Sequence, residues 1–289
     1  MNEERRFAVL VDAENVSAKY IKIIFDEMTN YGVITYRRIY GDWTSTRNNG
    51  WKSILLDHSI TPIQQYSYTG GKNASDSAMI IDAMDILYTM SVDGFCIVSS
   101  DSDFTRLASR LRESGMTVIG MGESKTPSAF IAACSAFKYL DILFERALAE
   151  ESGAETRDAE APSSRSRGTT PKRTARAKES GEAEKKAPKK EPAVSPAPQP
   201  QTKISTIRRA LKTIIMENSD EDNRVSLANL GNQLAKRFSD FDVRNYGHKK
   251  LTSFVESLGD FEIERFPLPG DGKVQQIFVR IKEKASADL

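Results

Sequence analysis

Short apolar runs alternate with helical patterns through the first half of the chain. Ile21, Ile24 and Met28 recur at the three- to four-residue spacing of a helix, and Met79 and Ala83 begin a second such pattern. Strands that alternate with helices favour a parallel sheet with helices on both faces, so the predicted fold class for residues 1–148 is α/β. Five short segments predict the strands: RFAVLVD (6–12), VITYRRIY (33–40), ITPIQQYSY (60–68), GFCIVSSD (94–101) and MTVIGMG (116–122).

A different pattern fills the C-terminal part, residues 204–284. Three amphipathic segments predict helices, and two strand candidates follow with the turn-forming PGDG between them. Three helices and a hairpin in so short a segment favour a small winged helix-turn-helix domain. The predicted helices are 204–218, 226–238 and 245–259, and the predicted strands are FEIERF (261–266) and QQIFVRI (275–281).

Residues 149–203 differ in composition from both neighbours. From Glu150 to Lys203 the chain has no aromatic residue, and Val194 is its only large aliphatic side chain. Residues 165–190 carry ten Lys and Arg against three Glu. A segment with so little apolar area cannot offset the entropy lost on ordering, so we expect a disordered, basic linker that tethers the second domain to the first.

Whole-chain composition adds little about partners. The chain has 41 basic and 40 acidic side chains, so its net charge favours no partner class. It has no apolar run of the length of a membrane span, and MNEERRF at its start lacks the apolar core of a signal peptide. We therefore expect a cytoplasmic protein without membrane contact, in which Cys96 and Cys134 are ordinary buried thiols.

Four aspartates lie at or near the predicted carboxyl ends of strands or near the start of a helix. Asp12 ends the first strand, Asp101 ends the fourth, and Asp103 comes two residues later. Asp76 lies near the start of the helix that precedes the fourth strand. Because ligands bind outside the carboxyl ends of the strands in an open parallel sheet, these acids are predicted to converge on one sheet edge.

Each acid also has a purely structural interpretation. Asp101 can cap the next helix, with Asp103 in its first turn, and Asp76 can complement the dipole of its own helix. Capping explains any one of these aspartates but explains less well why all four fall at one edge. Four clustered carboxylates repel one another unless a cation lies among them. Oxygen donors without nearby His or Cys suit Mg²⁺ or Mn²⁺, which activate water for phosphoryl displacement.

Other chemistries fit these residues poorly. A haloacid-dehalogenase phosphatase requires an aspartate where Glu14 stands, and the glycines around Gly71 lack the spacing of a phosphate-binding Walker A loop. A metal-free ribonuclease that uses two histidines is disfavoured, because His58 and His248 belong to different predicted domains.

Three motifs carry a family resemblance. VDAEN (11–15), KNASD (72–76) and SSDSDF (99–104) resemble the motifs of the NYN domain, the LabA-like branch of the PIN-type ribonucleases. The resemblance spans roughly residues 5–145. It implies a Rossmann-like, PIN-like parallel sheet and metal-dependent cleavage of RNA.

The resemblance also implies roles for individual residues. Asp12, Asp76, Asp101 and Asp103 become the metal-binding acids of the catalytic site. Asn15, within the first motif, is implied to position one of those acids or a substrate phosphate. Some relatives act as RNA-binding regulators, so an intact acid set does not by itself imply turnover.

The C-terminal part has a resemblance of its own. NYGHKKLTSFVESLGDFEIE (245–264) is similar to the core of the OST-HTH or LOTUS domain, over roughly residues 204–282. This implies a winged helix that binds RNA or, in some relatives, docks a protein. The RNA contacts predicted here are Lys72 in the first domain and Arg244, His248, Lys249 and Lys250 in the second.

Together these features predict a metal-dependent ribonuclease that hydrolyses single-stranded RNA and carries a tethered RNA-binding winged helix. Two alternatives remain open: a non-catalytic RNA-binding regulator, and an adaptor whose C-terminal helices bind a protein partner. The sequence leaves open whether the chain forms a homodimer.

Overall fold

The computed structural model describes residues 4–66, 74–158, 199–220, 222–268 and 271–282. The predicted linker, residues 149–203, lies largely outside the described residues. Its described residues 149–158 continue a helix that begins at Leu140, and the disorder of the residues outside the described ranges stays a prediction.

A parallel sheet of six strands forms the first domain. Its strand order is β3-β2-β1-β4-β5-β6, and every neighbouring pair is parallel. The chain therefore begins in the middle of the sheet with β1, adds β2 and β3 on one side, and then crosses back to add β4, β5 and β6 on the other side. The strands are β1 (Arg6–Asp12), β2 (Val33–Gly41), β3 (Thr61–Gln64), β4 (Gly94–Val98), β5 (Thr117–Gly122) and β6 (Ala136–Tyr139).

Helices cover both faces of this sheet, as the alternating sequence pattern predicted. Ala8 and Leu10 of β1 point toward a core formed with α3, α4 and α5, whereas Val9 and Val11 point toward α1, α2 and α6. β4 is buried along its whole length, which is typical of a central parallel strand. The helices are α1 (Ile21–Met28), α2 (Asn49–Lys52), α3 (Ala74–Tyr88), α4 (Thr105–Glu113), α5 (Ser128–Ala133) and α6 (Leu140–Asp158).

The five predicted strands are all present, although β3 is shorter than the predicted segment 60–68, the end of which lies outside the described residues. Strand β6 was not predicted, because its four residues AFKY are only partly apolar, and alternate positions are fully and partly buried. Cys96 and Cys134 are buried free thiols, as expected.

The C-terminal domain has the predicted helices and hairpin around one small core. An antiparallel sheet in the order β7-β9-β8 packs against the helices, and the short strand β7 was not predicted. The elements are α7 (Ile204–Asn218), β7 (Val225–Ser226), α8 (Leu227–Arg237), α9 (Leu251–Ser257), β8 (Phe261–Leu268) and β9 (Asp271–Ile281).

The prediction of one continuous helix over 245–259 was wrong. A 3-10 turn spans Val243–Tyr246, and α9 begins only at Leu251. Gly247 separates the two with a φ of 83°, a left-handed conformation that ends a helical turn and that glycine adopts without a steric penalty.

The C-terminal domain packs against β6, an edge strand of the first sheet. The Phe137 amide donates a hydrogen bond of 2.7 Å to the carbonyl oxygen of Ser239, and the Tyr139 hydroxyl donates one of 3.0 Å to the Asp240 carboxylate. A main-chain donor that an edge strand would leave exposed is thereby paired. The second domain thus contacts the first directly.

Within the described ranges, none of the helices combines the length and hydropathy that crossing a membrane would require.

Candidate metal centre

Asp12 is the most deeply buried of the four predicted acids, with 1% of its surface exposed at the carboxyl end of β1. One of its carboxylate oxygens accepts a hydrogen bond from the Glu14 amide at 3.1 Å. The other accepts from the Asn15 side-chain amide at 2.7 Å and from the Ser99 hydroxyl at 2.8 Å. These three donors fix the orientation of the carboxylate, and Asn15 lies where it can position that acid.

Asp101 follows the neighbouring strand and caps the next helical turn. Its Oδ1 accepts a hydrogen bond of 2.9 Å from the Asp103 amide, at the start of the 3-10 turn Ser102–Phe104 that leads into α4. Its own amide donates to the Ser99 hydroxyl at 3.1 Å. The capping interpretation is therefore correct for Asp101, and it also fixes the position of the carboxylate at the sheet edge.

Ser99 joins the two acid-bearing strands and was missed in the sequence analysis. It is fully buried, donates to Asp12 and accepts from the Asp101 amide. A serine that directly follows the apolar strand GFCIV was the available signal, because a buried hydroxyl requires hydrogen-bond partners.

Asp76 reaches the same edge from the first turn of α3. Burial is the largest cause that raises the pKa of its carboxyl group to about 6, and the negative charges of Asp12, Asp101 and Asp103 contribute to that rise in this order. The structure thus places all four acids close enough to interact electrostatically. A raised carboxylate pKa is typical of crowded anions and is often found at functional sites.

Three of these acids form a tight group. Asp76, Asp101 and Asp103 each offer a carboxylate oxygen, and these oxygens lie within 4.8 Å of one another. Asp12 stands beside this group and acts on it through its charge. The group lies outside the ends of β1 and β4, where the strand order reverses, which is the usual ligand site of such sheets.

The donor set suits a hard divalent cation. The converging ligand atoms are carboxylate oxygens, which Mg²⁺ and Mn²⁺ prefer, and a cation among them would offset their mutual repulsion. Asp76, Asp101 and Asp103 are the residues placed to hold it, with Asp12 adjacent.

The residues predicted to contact RNA do not belong to the acid group. Lys72 lies outside the described residues. Arg244 forms ion pairs with Glu27 of the first domain and with its neighbour Asp242. These pairs place its guanidinium group at the contact between the two domains.

The remaining predicted contacts lie at the end of the same segment. His248 lies beside the hydroxyls of Ser253 and Ser257, at 3.4 and 3.3 Å, with its ring against Phe254. Lys249 and Lys250 are exposed and lie directly before α9, with Lys250 as its N-cap residue, and not inside a helix that begins at residue 245 as predicted.

Family models match both parts of the chain. The model of the NYN domain matches residues 6–141, which contain the parallel sheet and the acid group. The model of the OST-HTH/LOTUS domain matches residues 202–271, which contain the three C-terminal helices. No curated protein matches the chain.

Two solved structures resemble the chain in part. The crystal structure of a protein of unknown function from Vibrio parahaemolyticus is 19% identical, with a TM-score of 0.42; the match covers 49% of this chain and 96% of that one. The solution structure of an uncharacterised protein from Nitrosomonas europaea is 30% identical, with a TM-score of 0.26; it covers 37% of this chain and 99% of that one. Neither brings an activity to this chain.

Proposed function

We propose that this protein, which joins an NYN domain to a C-terminal OST-HTH/LOTUS domain, is a metal-dependent ribonuclease that hydrolyses single-stranded RNA. The observation that carries the proposal is the group formed by Asp76, Asp101 and Asp103, with carboxylate oxygens within 4.8 Å at the carboxyl edge of the sheet. A cluster of this kind is expected at a site for Mg²⁺ or Mn²⁺.

In the proposed site, Asp76, Asp101 and Asp103 hold the ion, which when bound activates water and stabilises the charge that develops on the phosphate. Asp12 adds a fourth negative charge in a fixed orientation, because Asn15 and Ser99 donate to the same carboxylate oxygen. Asp101 is fixed in turn by its contacts with Ser99 and the Asp103 amide. Such preorganisation keeps ligand positions constant between turnovers.

The OST-HTH/LOTUS domain is proposed to raise the affinity for RNA and to leave the chemistry to the first domain. Its exposed Lys249 and Lys250 offer phosphate contacts, and His248 lies beside them. Lys72, within the second NYN motif, is proposed as a phosphate ligand in the first domain. Arg244 is a weaker candidate, because its guanidinium group is already engaged by two carboxylates.

The deciding experiment incubates the purified chain with end-labelled single-stranded RNA in Mn²⁺, in Mg²⁺ and in EDTA. We expect cleavage with at least one of the ions, none in EDTA, and none with the D101N variant. Cleavage that persists in EDTA or in D101N would overturn the metal mechanism. RNA binding without cleavage under all conditions would instead establish the non-catalytic regulator.

A further inference from the structure

A polar groove lies between the two domains, and none of the four acids lines it. It has a volume of about 480 Å³ and lies between α4 and α5 of the NYN domain on one side and the end of α8 on the other. Three cationic side chains line it: Arg112, Lys236 and Arg237. Its size is in the range of clefts that take up small ligands or part of a polymer.

The three cations are held at different places along the groove. Arg112 donates hydrogen bonds to the carbonyl oxygens of Ala132 and Ala133, at 3.3 and 3.2 Å, which fixes it at the end of α5. Arg237 pairs with the exposed Glu217 at 2.8 Å, an interaction that solvent weakens. Lys236 is exposed.

One acid, Asp240, also lines the groove but is already engaged. Only 3% of its surface is exposed, and it accepts hydrogen bonds from the Tyr139 hydroxyl at 3.0 Å and from the Thr202 amide at 3.1 Å. The Thr202 hydroxyl donates a further bond at 2.5 Å. The groove therefore presents more positive charge than negative charge to a ligand.

Helix α4 connects this groove with the acid group. The helix begins directly after the Asp101–Asp103 turn, and nine residues at 1.5 Å per residue give it a length of about 13 Å. Arg106 and Arg110 are exposed and four residues apart, so they share one face of the helix. Arg112 follows near its far end, two residues after Arg110 and therefore on another side of the helix. The helix thus spans from the acid group to the groove, with exposed cations along its length.

We infer that an RNA strand held at the acid group continues along α4 into this groove, where Arg112, Lys236 and Arg237 bind its phosphates. The inference rests on the proposed function and extends it to a second binding region, to which both domains contribute. Arginine forks and a lysine ammonium are the side chains that bind phosphate oxygens best, and the polar lining favours a charged strand over an apolar protein surface.

The test uses the full chain and a fluorescent single-stranded oligonucleotide in EDTA, so that binding is measured without cleavage. The K236A/R237A variant should bind about tenfold more weakly, with a slope of log affinity against log salt shallower by roughly 1.4 for two lost phosphate contacts. The matched control, K52A/R209A, removes one exposed cation from each domain outside the groove. It should change affinity less than about twofold.

Equal losses of RNA affinity in the two double variants would overturn the proposal, because they would indicate that RNA responds only to the net charge of the protein. Unchanged affinity in K236A/R237A, or no RNA binding by the native chain, would overturn it too. A cleavage assay with Mn²⁺ runs in parallel. If the native chain cleaves RNA and K236A/R237A binds RNA normally, the groove proposal is wrong and the nuclease proposal stands. If K236A/R237A binds RNA more weakly but the native chain never cleaves it, the groove proposal stands and the nuclease proposal is wrong.

Discussion

Arg244 of the C-terminal domain forms a two-pronged ion pair with Glu27 of α1, across 217 residues of sequence. Asp242 accepts from Arg244 and also pairs with Lys138 of β6 at 2.6 Å. Acids and cations therefore alternate at the contact between the domains, and the side chains of Glu27, Asp242 and Lys138 are largely buried. Buried charges of this kind tolerate the loss of a partner poorly.

The R244A variant should lower the free energy of unfolding by about 3 kcal/mol, because it leaves the Glu27 carboxylate buried without its main partner. Adding E27Q should recover part of the loss, giving a coupling energy above about 1 kcal/mol in a double-mutant cycle measured by denaturant unfolding. The R265A variant, which removes an exposed pair with Glu256, should cost less than about 1 kcal/mol. Equal losses in R244A and R265A would contradict a stabilising role for the domain contact.

Acid should weaken this contact. Burial acts to raise the pKa of Asp242, but hydrogen bonds from Arg244 and the charge of Lys138 outweigh it and hold that pKa well below its ordinary value of 3.8. Glu27 and Tyr31 also face this group. A carboxylate with a lowered pKa stabilises the fold when the pH is above the ordinary pKa of that group. This stabilisation is lost as the pH falls below the ordinary pKa toward the lowered one.

The difference in unfolding free energy between the native chain and D242N should therefore be about 2 kcal/mol at pH 7 and should shrink as the pH falls from about 4 toward 2. Denaturant titrations of both proteins at several pH values measure it. A difference that stays constant down to pH 2 would show that the carboxylate is not held ionised by its partners.

Two of the acids should respond in opposite directions when their charge is removed in EDTA. D76N should raise the free energy of unfolding by about 1 kcal/mol, because it relieves the repulsion and burial that raise the Asp76 pKa. D12N should lower it by about 1–2 kcal/mol, because the Asn15 amide and the Ser99 hydroxyl both donate to one carboxylate oxygen there. Both variants should lose metal-dependent cleavage. Changes of the same sign in D76N and D12N would contradict these opposite roles of the two carboxylates.

The acid edge could be foreseen from sequence because each acid is tied to a local signal. Asp12 and Asp101 end apolar runs, and Asp76 opens a helical pattern, so the rule that parallel strands end at one edge was enough to bring them together. Ser99 escaped because its role depends on contacts with two acids from different strands. Its place directly after the apolar run GFCIV indicates burial, but nothing in that run shows which groups its hydroxyl binds.

The domain contact could not be foreseen. Glu27 reads in the sequence as an ordinary acid near the end of an amphipathic helix, and Arg244 as one cation in a basic stretch. Their pairing depends on β6, which was missed, and on the break at Gly247, which shortens the predicted third helix. An ion pair between residues so far apart in sequence produces no periodic pattern from which it could be predicted.

Cleavage products should carry 5′-phosphate and 3′-hydroxyl ends, because a metal site of this kind activates water and leaves the 2′-hydroxyl unused. Mass spectrometry of the products of a defined oligonucleotide identifies both ends. An oligonucleotide with a single 2′-deoxy sugar at the cut position should still be cleaved there. Cyclic phosphate ends, or a block by the 2′-deoxy sugar, would rule out water as the nucleophile.

Asp82 should position the helix that carries Asp76. Its carboxylate accepts hydrogen bonds from Arg38 and from the Tyr40 hydroxyl, both on β2, and so fastens α3 to the sheet. Tyr40 is the register partner of Asp12 in the neighbouring strand, which links this contact to the acid edge.

The D82N variant should raise the Mn²⁺ concentration needed for half-maximal cleavage by about tenfold, the usual effect of losing a residue that orients metal ligands. The rate at saturating metal should change far less, because Asp82 belongs to the support of the site and not to the ligand group. D85N alters an exposed acid one turn along the same helix and should leave the metal requirement unchanged. If D82N and D85N show the same metal dependence, then the hydrogen bonds to Arg38 and Tyr40 stabilise the fold without orienting Asp76.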